Sequence, residues 1–333
     1  MLETTVNHSM FQLASVCPFT HPQHRASWGQ PVEQPMSIPF VYEEAIAYGV
    51  SIRVSPLVRQ VMADNPSAFT YHGTGTWIIG RGEVAVIDAG PANERHVDAI
   101  LAATAGETIT HQLITHTHSD HSPAARLVKE ATGAQTWAFG PHGSGRAGGE
   151  AVVEEGGDHD FVPDHRVRHG DVIEGAGWSV ECVFTPGHTS NHMCYALREE
   201  ATLFSGDHVM GWSSTVVSPP DGDMAAYMRS LALLLDRDDA LYRPTHGPAI
   251  TDPKTHVSAL IEHRKGREAQ IMACLEDGIT TIPEMVEVMY AAVDRGLHPA
   301  ARSSVFAHIV HMVETRRIAC DGPPEARSSY RLS

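Results

Sequence analysis

Three histidines and an aspartate lie within six residues of the stretch 113-LITHTHSDHSPAAR-126. The apolar run before them predicts a strand, and side chains two residues apart in a strand point to the same side. His116 and His118 can therefore share one metal ion, because imidazole nitrogens are common zinc ligands. The alternative is a polar corner with solvated histidines. Four potential ligands directly after an apolar strand favour the metal.

The end of the same stretch predicts a change of direction. Ser122 and Pro123 are typical of a helix start, with Ser122 as the N-cap and Pro123 at the first helical position. Such a turn lets Asp120 and His121 both face a second ion beside the first. The spacing H-x-H-x-D-H therefore predicts two metals at one strand-to-helix corner.

Two ions need more ligands, and three further segments provide candidates. Each has a histidine or an aspartate after an apolar run or beside a glycine or proline turn. These candidates are His188 in 185-TPGHTSNH-192, Asp207 in 203-LFSGDH-208 and His246 in 243-RPTHGP-248. Any one of them alone is more typical of a structural turn. Together with the first cluster they give seven ligands, which suits a binuclear centre.

The chain is divided by its pattern into three parts. Residues 1–48 are interrupted by prolines and predict an extended arm. Residues 49–252 alternate short β-rich runs with amphipathic helices, and 140–176 read as a long loop. Residues 253–333 predict helices at about 253–276, 283–294 and 300–316, followed by a hairpin, which is the outline of a winged-helix-like appendage.

Composition restricts the class of protein. Of 333 residues, 42% are hydrophobic and 19% are charged, which is typical of a soluble globular chain. No apolar run approaches the roughly 18–20 residues of a membrane helix, and the start lacks the pattern of a signal peptide. Five cysteines without a CxxC spacing indicate reduced thiols. We expect a cytoplasmic protein that does not enter a membrane.

The net charge of −16 is unevenly distributed along the chain. Residues 253–333 contain ten Lys/Arg and ten Asp/Glu, so the whole deficit lies in residues 1–252. An acidic body repels phosphate backbones, whose neutralisation supplies most nonspecific affinity for nucleic acids. A nucleic-acid substrate is therefore disfavoured, although a local patch could still hold one. The sequence leaves open whether the chain forms a homodimer.

Over about residues 50–250 the sequence resembles the metallo-β-lactamase superfamily, whose motifs run HxHxDH, His, Asp and His in this order. The resemblance implies a ligand set for each ion. His116, His118 and His188 would bind one ion, Asp120, His121 and His246 would bind the other, and Asp207 would bridge the two. Asp88 resembles the family's buried aspartate behind the site, which holds the ligand loops by hydrogen bonds without touching metal.

The fold implied by this resemblance is an α/β protein, an αββα four-layer sandwich with the metals at its rim. Within the superfamily, 64-DNPSAFTYHGTGTW-77 is similar to the signature of the lactamase-beta-2-like branch. The sequence departs from that signature at Gly75 and Trp77, where the branch usually has Asn and Tyr. These two differences leave the pocket floor, and with it the substrate, undefined.

The sequence therefore predicts a binuclear zinc hydrolase that uses a metal-bridging hydroxide, with Asp120 orienting it and passing its proton to the leaving group. Zn²⁺ is expected because imidazoles dominate the ligand set, while Fe or Mn would tolerate the same ligands. Trp212 and Tyr227 are candidate walls of the substrate cleft, with packing in the core as the alternative.

The substrate predicted for this centre is a small acyl compound: a lactone, ester, thioester or amide. The alternative is an endoribonuclease or phosphodiesterase of the same fold, because the branch includes such enzymes and the tail is winged-helix-like. A third, less favoured hypothesis is a non-catalytic metal-binding module.

Overall fold

The structure is a computed structural model that describes residues 37–42, 46–146, 156–292 and 294–333. Most of the arm predicted at 1–48 lies outside the described residues. The chain forms two compact units, one of Phe40–Val257 and one that includes Ser258–Ser333. Among the residues that the structure describes, no helix has the length and apolar character needed to cross a bilayer.

The first unit contains a seven-stranded sheet whose strands lie side by side in chain order. The first four strands are antiparallel, and the last three join in parallel. They are β1 (Ser51–Arg53), β2 (Val58–Met62), β3 (Gly75–Arg81), β4 (Glu83–Ile87), β5 (Thr108–Leu113), β6 (Gln135–Ala138) and β7 (His165–Arg166).

A second sheet of five strands completes the sandwich, in the spatial order β12-β11-β10-β9-β8. All its pairs are antiparallel except β11 with β12, which is parallel. Its strands are β8 (Val172–Gly175), β9 (Trp178–Phe184), β10 (Met193–Leu197), β11 (Thr202–Gly206) and β12 (Leu241–Pro244).

The two sheets pack face to face around a shared apolar core. Alternation along β3 and β4 explains how one strand serves two layers, because successive side chains point to opposite faces. Trp77 and Ile87 lie in the core that also contains Tyr195 and Phe204 of the second sheet. Ile78, between its neighbours on β3, belongs instead to the core on the other face of the first sheet.

Three helices cover the outer faces. They are α1 (Glu94–Ala103), α2 (Ala124–Thr132) and α3 (Met224–Leu235). α1 and α2 pack on the first sheet through the second apolar core. α3 lies against the second sheet, where the Tyr242 hydroxyl of β12 donates to the carbonyl of Leu234. The order of layers is helix, sheet, sheet, helix.

Two local predictions were wrong. The stretch 140–176 is not loop throughout, because β7 and β8 form within it as short edge strands. Ser122 does not cap α2: its hydroxyl donates to Asp158 Oδ2 over 2.6 Å, and Pro123 occupies the N-cap position without a side-chain hydrogen bond. A hydrogen bond between a hydroxyl and a charged carboxylate is stronger than one between a hydroxyl and a neutral backbone group. The contact with Asp158 therefore orients the Ser122 hydroxyl.

The remaining elements form the C-terminal part. They are α4 (Pro253–Glu276), α5 (Ile282–Met289), α6 (His298–Glu314), β13 (Ile318–Cys320) and β14 (Tyr330–Leu332). β13 and β14 pair antiparallel as the predicted hairpin. Side chains of α5 and α6, among them Met285 and Ile309, pack with Tyr330 in a separate apolar core.

Candidate metal centre

All seven predicted ligands lie just beyond the carboxyl ends of strands. His116, His118, Asp120 and His121 follow β5, His188 follows β9, Asp207 follows β11 and His246 follows β12. β11 and β12 are parallel, so their carboxyl ends reach the same edge of the second sheet. The strands of both sheets therefore deliver polar side chains to one rim of the sandwich.

Three imidazoles form the first group. Nδ1 of His118 lies 3.0 Å from Nε2 of His116 and 3.1 Å from Nε2 of His188. One ring nitrogen from each of these three residues can be chosen so that all lie within 4.8 Å of one another. Three lone pairs this close are suited to a single cation.

Asp120, His121 and His246 form the second group, with donor atoms that also lie within 4.8 Å of one another. Oδ2 of Asp120 is 3.1 Å from Nε2 of His246 and 3.5 Å from Nε2 of His121. Two imidazoles and a carboxylate are a mixed nitrogen and oxygen donor set that Zn²⁺ accepts.

Asp207 lies between the two groups. Its Oδ2 is 3.7 Å from Nε2 of His188 and 3.5 Å from Nε2 of His121, while its Oδ1 is 3.4 Å from Nε2 of His246. The structure thus brings the carboxylate within reach of both groups, as the resemblance implies for a bridging ligand.

Hydrogen bonds on the far side of the rings determine which nitrogen faces the centre. Nδ1 of His188 donates to the carbonyl of Val216 over 2.6 Å, and Nδ1 of His246 donates to the carbonyl of Gly73 over 3.0 Å. Because a carbonyl only accepts, the proton of each neutral ring is on Nδ1, and the lone pair of Nε2 points inward. Metal-binding histidines in proteins have this arrangement.

Asp88 lies behind the centre, fully buried, where it accepts four hydrogen bonds. The donors are the Thr115 amide at 2.8 Å, the Thr115 hydroxyl at 2.7 Å, His121 Nδ1 at 2.9 Å and the Thr245 hydroxyl at 3.0 Å. It therefore joins the β5 and β12 ends. The sequence reading missed both threonines, although each directly precedes a ligand histidine.

Charge in the second group is dominated by its carboxylates. Burial alone would lower the pKa of His246, but Asp207 and Asp120 outweigh it and raise the pKa to about 10. Burial would likewise lower the pKa of His121, which Asp120, Asp207 and Asp88 instead raise well above its usual value. Without cations these two rings are held in the protonated form, so the site favours positive charge.

The first group behaves differently. Burial lowers the pKa of His118 to about 3, and the neighbouring His188 adds to the effect. Burial, together with His121 and the other rings, also lowers the pKa of His116 well below its usual value. The rings of His116 and His118 therefore stay neutral, which is the form in which an imidazole nitrogen can coordinate a cation.

Unsatisfied atoms provide a test of whether metal fits the site. Nε2 of His121, Nε2 of His246 and Oδ1 of Asp207 are buried, and none makes a hydrogen bond of acceptable geometry within the described parts of the chain. Buried polar atoms in proteins are normally bonded, and a coordinated ion satisfies such atoms. The residues present therefore fit a bound metal cation.

The two predicted cleft residues lie in the interior. Trp212 is 4% exposed and stacks on Tyr71, with ring centroids 4.9 Å apart. Tyr227 is fully buried, and its ring packs on that of His208. The packing alternative describes both side chains in this structure, and neither is presented to solvent as a cleft wall.

His96 on α1 lies behind Asp88, and its burial has a measurable effect on its pKa. The Thr76 hydroxyl donates to the Asp88 carbonyl, so it accepts the proton of His96 Nε2 over 2.8 Å. Nδ1 of His96 is buried without a hydrogen-bond partner among the described residues. Burial lowers the pKa of His96 to about 4.

We expect His96→Gln to flatten the dependence of stability on pH. The unfolded chain protonates His96 near pH 6.5 and the folded chain only near pH 4. The free energy of unfolding contributed by neutral His96 is therefore complete above pH 6.5 and is lost as the pH falls. Between pH 7.5 and pH 5, urea denaturation should show a loss about 2 kcal/mol larger for the wild type than for the variant. Identical curves for the two would contradict this.

Comparison with known proteins agrees with this geometry. The family model described as "Metallo-beta-lactamase superfamily" matches residues 71–246. A second model, described as "Beta-lactamase associated winged helix domain", matches residues 281–323, which include α5, α6 and β13. The predicted winged-helix character of the C-terminal part is confirmed.

Two fungal relatives are similar over most of the chain. The lactamase-like protein adaB of Aspergillus niger is 29% identical over 301 residues, covering 84% of this chain and 87% of that protein. The atrochrysone carboxyl ACP thioesterase of Aspergillus chevalieri is 30% identical over 252 residues, covering 72% of this chain and 75% of that protein.

Two crystal structures share the fold. A beta-lactamase domain protein from Burkholderia ambifaria has a TM-score of 0.73 and 20% identity, covering 88% of this chain and 97% of that one. A metallo-beta-lactamase family protein from Thermus thermophilus has a TM-score of 0.69 and 21% identity, covering 84% and 100%. The predicted sandwich is confirmed, and the chain is a hydrolase that belongs to the metallo-beta-lactamase superfamily.

Proposed function

We propose that the chain is a binuclear zinc hydrolase that cleaves acyl thioesters. The observation that carries this proposal is the convergence of two triads of donor atoms with Asp207 between them. His116, His118 and His188 would hold one cation, and Asp120, His121 and His246 the other. Fe or Mn would accept the same donors, but the excess of imidazole favours zinc.

Bound at this rim, two Zn²⁺ ions would supply Lewis acidity, lowering the pKa of water and polarising the carbonyl of the substrate. The chain itself contributes by holding the ligand side chains in place. The Nδ1 hydrogen bonds of His188 and His246 fix the orientation of both rings before substrate arrives. Preorganised groups need no rearrangement during the reaction, which lowers its barrier.

Asp120 is the residue assigned to proton transfer. Its side chain is 23% exposed, whereas those of His121 and His246 are buried, so it alone of its group is open to solvent. Burial would raise the pKa of Asp120, but His121 and His246 outweigh it and hold the pKa well below its usual range. The carboxylate therefore stays charged, as a metal ligand must be, and its exposure is what favours it as the group that takes a proton from water.

The reaction balances with these residues alone. The oxygen of water joins the acyl carbon, the C–S bond breaks, and the thiolate takes the proton that Asp120 received. A carboxylic acid and a thiol are the products. Among acyl compounds we choose thioesters because a relative that is 30% identical is named as a thioesterase acting on a carboxyl ACP.

A substrate panel separates the candidate functions. The zinc-loaded protein would be assayed against a thioester, the matching oxygen ester, a lactone, an amide and single-stranded RNA. Thiol release from the thioester, several-fold faster than turnover of the others, supports the proposal. Cleavage of RNA without thioester turnover would replace it with the phosphodiesterase alternative.

Removal of metal is expected to abolish turnover. After dialysis against a strong chelator, thioester hydrolysis should fall at least about 10³-fold, because zinc supplies most of the activation of water. Activity should return in proportion to added Zn²⁺ and reach its plateau at two equivalents per chain, measured together with metal content. A plateau at one equivalent would contradict the binuclear assignment.

A further inference from the structure

A fully buried histidine outside the ligand set lies beneath the centre. His192 ends the turn 185-TPGHTSNH-192 and is surrounded by other imidazoles, with its ring centroid 5.2 Å from that of His116 and 6.3 Å from that of His188. Its Nε2 accepts the backbone N–H of Asp207 over 3.2 Å. It is thus bonded to the main chain of the residue that lies between the two metal groups.

The hydrogen bonds around His192 fix its tautomer. A backbone N–H can only donate, so Nε2 of His192 must be the unprotonated nitrogen of a neutral ring. The proton then lies on Nδ1, which is 2.9 Å from the Thr185 hydroxyl. Thr185 in turn can donate to Cys194 Sγ, 3.1 Å away. The direction of the bond between His192 and Thr185 therefore follows from the bond to the Asp207 amide.

The backbone of Gly206 leaves the space that the ring needs. A Cβ at Gly206 would lie 2.5 Å from Nε2 of His192, and the φ of +53° is one that favours glycine. The imidazole is therefore packed directly beneath the peptide that leads into Asp207. Such close approach leaves little freedom for the Asp207 amide to turn away.

The same turn is tied to ligands of the first group. It carries His188 four residues before His192, and the amide of Met193 donates to the carbonyl of Thr115 over 2.7 Å, directly before His116. This short segment thus supplies the ligand His188 and contacts the backbone next to His116. Through His192 it also holds the backbone of Asp207. It can set the carboxylate of Asp207 relative to both triads.

We propose that His192 is a positioning residue that holds Asp207 as a bridge between two cations by accepting its backbone N–H. This inference rests on the two-cation site proposed above. If His192 loses its acceptor, the triad His116, His118 and His188 remains complete, whereas Asp207 is free to shift. The second cation is held by Asp120, His121 and His246 together with Asp207. Its affinity should therefore fall more than that of the first cation.

Variants of His192 separate acceptance from packing. His192→Gln keeps an acceptor near the position of Nε2, whereas His192→Leu fills the space without one. With Co²⁺ as the probe, followed by its visible absorption, we expect His192→Leu to keep one tight equivalent and to weaken the second about 10–100-fold. His192→Gln should restore the second equivalent to within about threefold. His308→Leu, which removes a buried histidine of α6 that is hydrogen-bonded to Glu268, is the matched control and should bind both equivalents.

Nitrogen NMR of the wild-type ring tests the inference even where a variant fails to fold. Protonated Nδ1 with bare Nε2 at His192 is the expected state, and a proton on Nε2 would overturn the proposal. Unchanged binding of two equivalents by His192→Leu, or equal losses in the Leu and Gln variants, would overturn it as well. Wild-type protein that binds only one equivalent would refute the two-cation site instead, leaving the NMR result to decide the role of His192.

Discussion

Asp120→Asn is expected to lower kcat/KM for thioester hydrolysis about 10³-fold with no loss of fold. The amide keeps the size of the carboxylate and one oxygen for coordination, but it cannot accept a proton from water. The leaving thiolate would then have to draw its proton from solvent. Kinetics at saturating Zn²⁺, with metal content measured on the same sample, isolate this effect from loss of metal.

Asp238→Asn provides the matched control for Asp120→Asn. It makes the same change of charge at a side chain that is 94% exposed and pairs only with Lys254 in the described chain. Its kcat/KM should equal that of the wild type. An Asp120→Asn protein with two bound zinc ions and wild-type turnover would exclude Asp120 as the proton carrier.

Asp88→Ala is expected to reduce both stability and zinc affinity. The substitution leaves four buried donors without their acceptor, and each such group costs about 1–3 kcal/mol. Allowing for relaxation, we expect the free energy of unfolding to fall by about 4 kcal/mol. Zinc affinity should drop about 10–100-fold, because His121 loses the partner that orients it.

Backbone strain needs a separate variant, because Asp88 has a φ of +49°. Alanine tolerates this conformation poorly and glycine adopts it freely. Asp88→Gly should therefore recover part of the stability but none of the zinc affinity. Asp98→Ala, an exposed position on α1, is the control and should change neither property. Zinc binding by Asp88→Gly equal to that of the wild type would show that the carboxylate does not orient the site.

The positions of the ligand residues could be anticipated because strand ends are local features. An apolar run followed by a polar turn is visible in sequence, and four such turns hold His116, His188, Asp207 and His246. Which of them lie close together depends on sheet order, and only the family resemblance supplied it. The structure then places their donor atoms within coordinating distance of one another.

Features that depend on long-range packing could not be predicted from the sequence. Thr245 is bonded to Asp88 across 157 positions of the chain, and no local pattern indicates such a pairing. The burial of Tyr227 has the same origin, because aromatic residues line clefts and cores with similar sequence signals. Ser122 was predicted to cap α2, but its hydroxyl donates to Asp158, which lies 36 residues away in the chain.

The two sheets contribute unequal shares of the metal ligands, with four residues following a strand of the first and three following strands of the second. A cation held by Asp120, His121 and His246 would cross-link segments separated by up to 126 positions, from Asp120 to His246. Closing so long a loop restricts the unfolded chain far more than a contact between neighbours does. Zinc would thus stabilise the folded sandwich as well as take part in catalysis.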